Sequence, residues 1–297
     1  MPQTVADICI IFNPTARGDR AQARLRQLRE LAGGATFLPT KEAGHAAALA
    51  EQAARNGCGT VVAAGGDGTI NEVLNGLMRV PSDARPRLGV VPVGTANVYA
   101  RELGLPLFVD AAWRVIAAGH ERRVDVGVAR EAGGERRYFA QLAGAGFDAM
   151  AIATLDLKLK KRINWLSYVI TGFRTVARGL PRLTITAGDR RCEGCFVFVG
   201  NGRFYGGSYR MFPEARLDDG MLEVCVFEGG RVLDVLRYIP RVLTASHPKL
   251  ADVHYFRARE VRVESPEPAA TELDGELWKD CPAEFSVEPG ALRVVVT

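Results

Sequence analysis

Residues Ala63 to Val73 read AAGGDGTINEV, and no other stretch restricts the fold of this chain so tightly. The run GTVVAAG (59–65) has the small and β-branched character of a buried strand. It ends in Gly65, Gly66, Asp67, Gly68 and Thr69, and a helical pattern follows over 69–79. Glycine lacks a Cβ, so backbone amides there can approach a bulky anion closely. Amides that run into a helix N-terminus form a natural phosphate cradle. Asp67 would repel phosphate directly and makes chemical sense bridged to it through a divalent cation. The competing reading is a Gly-rich strand-to-helix turn with Asp67 as its N-cap.

The flanking sequence repeats this strand–helix order. DICIIFN (7–13), ATFLPT (35–40) and RLGVVPV (87–93) read as strands, and 19–32, 44–56, 95–103 and 108–118 as helices. Such alternation predicts an α/β domain, a parallel sheet with helices on both faces. From 121 onward the pattern changes. RRVDVGVA, RYFAQLA, LTITAG, CFVFVGN, MLEVCVF, EVRVES, AEFSVE and LRVVV alternate with polar turns, interrupted by helical stretches near 147–178 and at 231–244. That predicts a C-terminal antiparallel β-sandwich. The expected division is an α/β domain over 1–121 and a β-rich domain over 122–297, the last residues being free to return to the first domain. A cleft between them is the default ligand site.

A second loop repeats the logic of the first. In GVVPVGTANVYARELGL a buried strand ends at Val93, Gly94 turns, and Thr95 is expected to open a helix. Strands of a parallel sheet deliver their C-terminal loops to one edge, so Gly65–Thr69, Gly94–Asn97 and Asn13 should converge. Across the expected cleft, EARLDDGMLEV sets Asp218 and Asp219 before Gly220, and TELDGELW sets Asp274 and Glu276 around Gly275. Asp-Gly is also a favoured hairpin turn. With Glu276 facing the phosphate loops, the parts are those of a kinase: a nucleotide cradle, a metal-linked Asp67, and a base for a hydroxyl proton.

Other patterns are excluded. AGAGFDA matches G-x-G-x-x-A, yet no second parallel strand with an acidic residue follows, so a dinucleotide fold is not expected. No G-x-x-x-x-G-K-[ST] occurs. Cys192 and Cys195 form a lone CxxC without the further ligands that zinc requires, and read as part of a hairpin. Cys9, Cys58 and Cys225 read as buried thiols, which suits a reducing cytoplasm. The net charge of +4 over 297 residues gives no reason to expect nucleic acid but permits an anionic partner. The N-terminal run has no signal-peptide pattern, and no window is long and apolar enough to span a membrane.

The motifs FNPTARG, GGDGTINEV, LGVVPVGTANVYARELGL, RRVDVG, AGAGFDA, GNGRFYGGSYRMFPEARLDDGMLEV and LDGE together resemble the diacylglycerol kinase catalytic-domain family, especially its bacterial soluble lipid kinases. GGDGT alone is shared with NAD kinases. The resemblance implies an NAD kinase/diacylglycerol kinase-like fold and an ATP- and Mg²⁺-dependent transfer to a lipid hydroxyl, of diacylglycerol or a related lipid. It implies a nucleotide site at Asn13, Thr40, Gly66, Asp67, Gly68, Thr69, Ile70, Asn71, Glu72 and Thr95. It places Asp125 close to a catalytic magnesium, and a structural magnesium at Asp219 with the carbonyls of Arg216 and Met221. Asp274 and Glu276 form the base region, with Glu276 or Asp274 as the base. Two departures from the family are Ala16, where Ser is usual, and Ser208, where a third glycine is common.

LKLKKRINW (157–165) interleaves apolar residues with Lys158, Lys160, Lys161 and Arg162. Basic residues near an anionic surface each contribute roughly 1 kcal/mol, so this stretch suits peripheral contact with the inner membrane face; a solvated helix face is the plainer alternative. The expected partner is a membrane-embedded lipid substrate, with the oligomeric state left open and a homodimer included. An NAD kinase and a non-catalytic lipid or nucleotide sensor are the alternatives.

Overall fold

The computed structural model describes residues 7–14, 19–131, 134–146 and 179–297. The helical stretch expected near 147–178, with Lys158, Lys160, Lys161 and Arg162, and the variant position Ala16 lie outside the described residues.

The first half alternates as expected: β1 (Ile8–Phe12), α1 (Asp19–Leu31), β2 (Thr36–Pro39), α2 (His45–Arg55), β3 (Thr60–Gly65), α3 (Asp67–Met78), β4 (Arg87–Pro92), α4 (Val98–Glu102) and α5 (Val109–Ala118). The strands pair in parallel in the order β2–β1–β3–β4. Side-chain alternation along β1 explains the two helical layers. Ile8, Ile10 and Phe12 pack in one core with Leu25 and Leu28 of α1 and Val109, Trp113 and Ile116 of α5. Ile11 faces the other core, with Ala46 and Ala50 of α2 and Leu74 and Leu77 of α3. α2 and α3 touch at Gly76, where a Cβ would lie 2.1 Å from the Ala47 carbonyl oxygen.

The second half comprises β5 (Glu121–Glu131), β6 (Arg136–Phe139), β7 (Leu142–Ala145), β8 (Leu183–Ala187), β9 (Arg190–Gly194), β10 (Phe196–Gly200), β11 (Phe204–Tyr205), β12 (Tyr209–Arg210), β13 (Leu222–Phe227), α6 (Val232–Leu243), β14 (Val253–Ala258), β15 (Glu260–Glu264), β16 (Ala270–Leu273), β17 (Glu276–Asp280) and β18 (Ala283–Val295). One layer of the sandwich is antiparallel, in the order β14–β13–β10–β7–β16–β17. The facing layer is continuous with the first sheet, because β18 pairs in parallel with β4 at Val294↔Leu88 and antiparallel with β5 and β15. Val197, Val199, Val224 and Val226 fill the space between the layers against Ile185, Val261, Val263 and Phe285.

Four local expectations are corrected. RYFAQLA, expected as one strand, is split at Ala140 and Gln141: β6 joins β5 in one layer and β7 joins β10 and β16 in the other. AEFSVE and LRVVV are one strand, β18, whose register shifts between Glu288 and Leu292 where Pro289 and Gly290 interrupt the pairing. The helix expected from Thr95 begins at Val98, because Asn97 takes a left-handed conformation (φ 49°) as its N-cap. Among the expected buried thiols only Cys225 is buried. Cys9 and Cys58 are half-buried, since they border a groove beneath the C-terminal end of α2. Gly144 of the G-x-G-x-x-A pattern sits in β7 between antiparallel neighbours, and the pattern's last three residues, 147–149, lie outside the described residues.

His247 lies fully buried beyond α6, its Nε2 bonded to the Met211 carbonyl at 2.9 Å and its ring stacked on Phe227. Burial lowers its pKa below the ordinary histidine value. The native state therefore keeps this ring neutral while the unfolded chain protonates it. The associated stability is fully present above the unfolded pKa of about 6.5 and is lost as pH falls below it. His247→Gln is expected to flatten the fall in urea-unfolding free energy between about pH 6.5 and the lower native pKa; an unchanged slope contradicts this assignment.

Candidate active site

β3 delivers Gly65 to the sheet's C-terminal edge, and Gly66 is the N-cap of α3, with no side-chain cap. Asp67 is therefore not the N-cap. It stands in the first turn of α3, and its Oδ1 accepts a hydrogen bond from the Tyr99 amide at 3.1 Å. That bond ties the β3–α3 loop to the start of α4. The two loops also touch through glycines: a Cβ on Gly94 would lie 2.6 Å from the Gly66 Cα and 2.8 Å from Asn97 Oδ1. A Cβ on Gly65 would lie 2.5 Å from the Thr69 side chain. Glycine is required here by close backbone approach, and the result is two crossing amide loops beside an uncapped helix N-terminus. Arg24 of α1 donates to the Gly94 carbonyl at 3.4 Å and braces the second loop.

The expected nucleotide residues are not equivalent. Asn13 and Thr95 are exposed, while Thr40, Gly66, Asp67, Gly68 and Thr69 are half-buried. Thr40 is fixed at the end of β2 by its amide donating to the Phe12 carbonyl at 2.9 Å. Ile70 is fully buried, and its amide donates to the Gly66 carbonyl, so its part is to anchor the helix. Glu72 Oε2 accepts from the Ala46 amide at 3.0 Å, capping α2. Asn71, 2% exposed, points across the cleft and donates to Asp274 Oδ2 at 2.7 Å.

Asp274 and Gly275 are the two turn residues between β16 and β17, with φ of 50° and 85°. Positive φ at both central residues is the type I′ hairpin geometry that Asp-Gly favours. The turn reading and the functional reading are therefore both satisfied by one structure. The Asp274 carboxylate accepts four hydrogen bonds: from the Ala140 amide at 2.7 Å and Asn71 on Oδ2, and from the Gln141 and Leu142 amides at 2.9 and 3.0 Å on Oδ1. It holds the strand break between β6 and β7. Burial raises its pKa above the ordinary carboxylate value, and these hydrogen bonds oppose that shift.

Glu276 opens β17 on the other side of the turn and is exposed. A Cβ on Gly68 would lie 3.5 Å from Glu276 Oε1, so this carboxylate overhangs the phosphate loop. Its Oε2 accepts from Arg137 Nη2 at 2.5 Å. Arg137 belongs to β6 and carried no sequence signal beyond its place in a strand.

Asp125, 3% exposed on β5, accepts from the Gly220 amide at 2.6 Å and the Gly290 amide at 2.7 Å. It pins the DDG turn to the β18 irregularity. Asp219 Oδ1 accepts from the Met221 amide at 3.1 Å, its Oδ2 accepts from Arg257, and Arg216 pairs with Asp218. Arg257 also pairs with buried Glu223 at 3.1 Å. The Asp219 carboxylate is thus paired with the Arg257 guanidinium. Among the described residues no cluster of three metal-binding side chains occurs. Beside the glycine cradle Asp67 offers a carboxylate, which fits a magnesium ion carried mainly by substrate phosphates.

Glu102 escaped the sequence reading. It is 5% exposed at the end of α4 and accepts from the Arg203 and Phe204 amides at 2.7 and 3.3 Å, Arg203 Nε at 2.9 Å and Gln141 Nε2 at 3.1 Å. Its signal was a charged residue among the buried Tyr99, Ala100 and Leu103 of one helical turn.

Crossed glycine loops on an α/β domain, faced by a carboxylate from a β-sandwich, define a phosphotransferase of the two-domain kind that sequence comparison identifies. The diacylglycerol kinase catalytic domain model matches residues 7–129, and that of the YegS C-terminal NAD kinase beta sandwich-like domain matches residues 141–296. The chain is 32% identical over 293 residues to a YegS-like lipid kinase of Chromohalobacter salexigens, covering 96% of this chain and 92% of that one. It is 29% identical to a diacylglycerol kinase of Staphylococcus aureus, covering 93% and 88%. A crystal structure described as a diacylglycerol kinase of Bacillus anthracis superposes with a TM-score of 0.72 at 23% identity, over 98% of this chain and 96% of that one. The chain belongs to the diacylglycerol kinase family of lipid kinases.

Asp67→Asn preserves the acceptor for the Tyr99 amide and removes only the charge. It is expected to keep the melting temperature and to lose about 10²-fold or more in turnover. Near-normal turnover in this variant rejects the metal and phosphate role of Asp67.

Proposed function

We propose that this protein transfers the γ-phosphoryl group of ATP to a hydroxyl of diacylglycerol or a related lipid, with Glu276 as general base. The observation that carries this reading is the position of Glu276 Oε1 over Gly68, where an acceptor lying between the two carboxylate-bearing elements meets the phosphate loop. Gly66 and Gly68 offer amides to the phosphate chain at the uncapped start of α3, while the Gly94 amide is committed to the Gly65 carbonyl and its missing Cβ lets the two loops touch. Magnesium held between Asp67 and the phosphates would neutralise the charge that otherwise repels the nucleophile. Glu276 accepts the lipid hydroxyl proton as oxygen bonds to phosphorus, and the bond to the β,γ-bridging oxygen breaks to release ADP. Arg137 orients Glu276 through its other oxygen.

Asp274 is less suited to the base role. A carboxylate has about four lone-pair sites, and here four donors use them. It acts through position, holding the turn that aims Glu276. The substrate is drawn from a membrane, and the basic stretch 158–162 contributes attraction to anionic lipid. The described residues contain no helix long and apolar enough to cross a bilayer.

The test is labelled ATP transfer in mixed micelles to diacylglycerol, monoacylglycerol, phosphatidylglycerol, sphingoid base and ceramide, with NAD as a soluble acceptor. Diacylglycerol or a close relative is expected to be labelled, and labelling of NAD alone overturns the proposal. Glu276→Gln is expected to lower kcat by about 10²–10⁴-fold with ATP affinity unchanged. A variant that keeps more than about a tenth of wild-type kcat places the base elsewhere.

A further inference from the structure

α6 has an unusual distribution of apolar side chains. Val235 and Tyr238 face inward, and Tyr238 is locked by the Gly229 amide donating to its hydroxyl at 3.1 Å and by Asp252 accepting from it at 2.5 Å. Yet Leu233 (78% exposed), Leu236, Ile239 and Leu243 point to solvent. At about 100° per residue these four and Pro240 fall within an arc of about 120° beside the buried face. Tyr209 of β12, which packs beside α6, is exposed as well. Scattered apolar residues on a surface need no explanation, but a contiguous stripe along one helix does.

The charges bordering the stripe decide what covers it. Arg210, Arg231, Arg241 and Lys249 are exposed, and none has a carboxylate partner among the described residues. Arg237 is spent on Asp252 and Asp234. A two-fold contact with a second copy would bring this cationic border against itself. An anionic bilayer meets both requirements, because an amphipathic helix in the interface buries its apolar face at the acyl boundary while basic residues reach the headgroups.

We propose that the outward face of α6, with Tyr209, is a docking surface for anionic lipid bilayers. The proposal rests on the lipid-kinase reading for its purpose, although its observations are independent of the catalytic residues. The surface is also linked to the site. Glu102, at the far end of α4 from Asp67, accepts the amides of Arg203 and Phe204, where the β11–β12 hairpin beside α6 begins. A bilayer seated on α6 would thus lie against the element that α4 connects to the phosphate loops.

Cosedimentation with vesicles of phosphatidylcholine, with and without phosphatidylglycerol, tests this. The triple variant Leu233→Ser, Leu236→Ser, Leu243→Ser is expected to bind the anionic vesicles about tenfold or more weakly than wild type. The double variant Arg231→Gln, Arg241→Gln is expected to weaken binding and flatten its salt dependence. Both should keep the wild-type melting temperature and turnover of a short-chain, monomeric lipid. The basic stretch 158–162 is intact in both, so a loss cannot arise there. Unchanged vesicle binding by the triple variant overturns the proposal. So does a wild-type dimer that the triple variant converts to monomer without loss of vesicle binding, since the partner is then a second copy. Absence of turnover with every lipid, alongside α6-dependent vesicle binding, rejects the proposed substrate and leaves the docking surface standing.

Discussion

The carboxylate of Asp274 gathers three consecutive amides, those of Ala140, Gln141 and Leu142, and the side chain of Asn71. Those amides belong to the segment where the chain leaves one layer of the sandwich and enters the other, so none can be satisfied by a continuing ladder. Orphaned amides are costly when withdrawn from water, and hydrogen bonds to a charged acceptor contribute about 1.5–3 kcal/mol each. One side chain therefore makes the layer crossing tolerable. By engaging Asn71 it also fixes α3, and hence the phosphate loop, to the sandwich.

Two further buried carboxylates work in the same manner. Asp125 collects the amides of Gly220 and Gly290, and Glu102 those of Arg203 and Phe204. Glu102 sits on α4 of the α/β half and Asp125 on β5, the first strand of the second half, and each binds loop or irregular backbone of the second half. The sheet shared through β4 and β18 gives the two halves a common layer. The carboxylates then set the loops that surround the cleft. This arrangement explains why conspicuous acidic residues near a phosphate site are not all chemical groups: most are spent on backbone amides.

The fold was legible where periodicity and turn chemistry spoke together. Alternation along DICIIFN and GTVVAAG, with intervening helical spacing, specified the parallel sheet and its two helical layers. Periodicity could not reveal that RYFAQLA changes layer, because the run reads as one strand and the cause of the break at Ala140 lies 134 residues away, at Asp274. It likewise divided β18 at Pro289 and Gly290, where the partner strand β5 carries the pairing past the irregularity. In the site, the glycines and Asp67 were readable because their chemistry is local. Arg137 and Glu102 were not, since each acquires its meaning from a partner distant in sequence: Glu276 for the first, the β11 hairpin for the second.

The same distinction separates the two acids of the DGE turn, which the sequence alone left interchangeable. A general base needs a lone pair within hydrogen-bond reach of the proton it takes. Asp274 has its oxygens committed to four donors and would have to release one to accept a proton. Glu276 has one oxygen on Arg137 and the other directed over Gly68. The guanidinium holds the carboxylate in one orientation, and in the proposed reaction it would keep that charge beside the phosphates, where repulsion would otherwise swing it away. An Asp at position 276 would be one methylene short of this span, and a Glu at 274 could not place both oxygens among the Ala140–Leu142 amides from within a two-residue turn. The order Asp, Gly, Glu is thus set by division of labour: the first acid builds the turn, the glycine completes it, and the second acid reaches across the cleft.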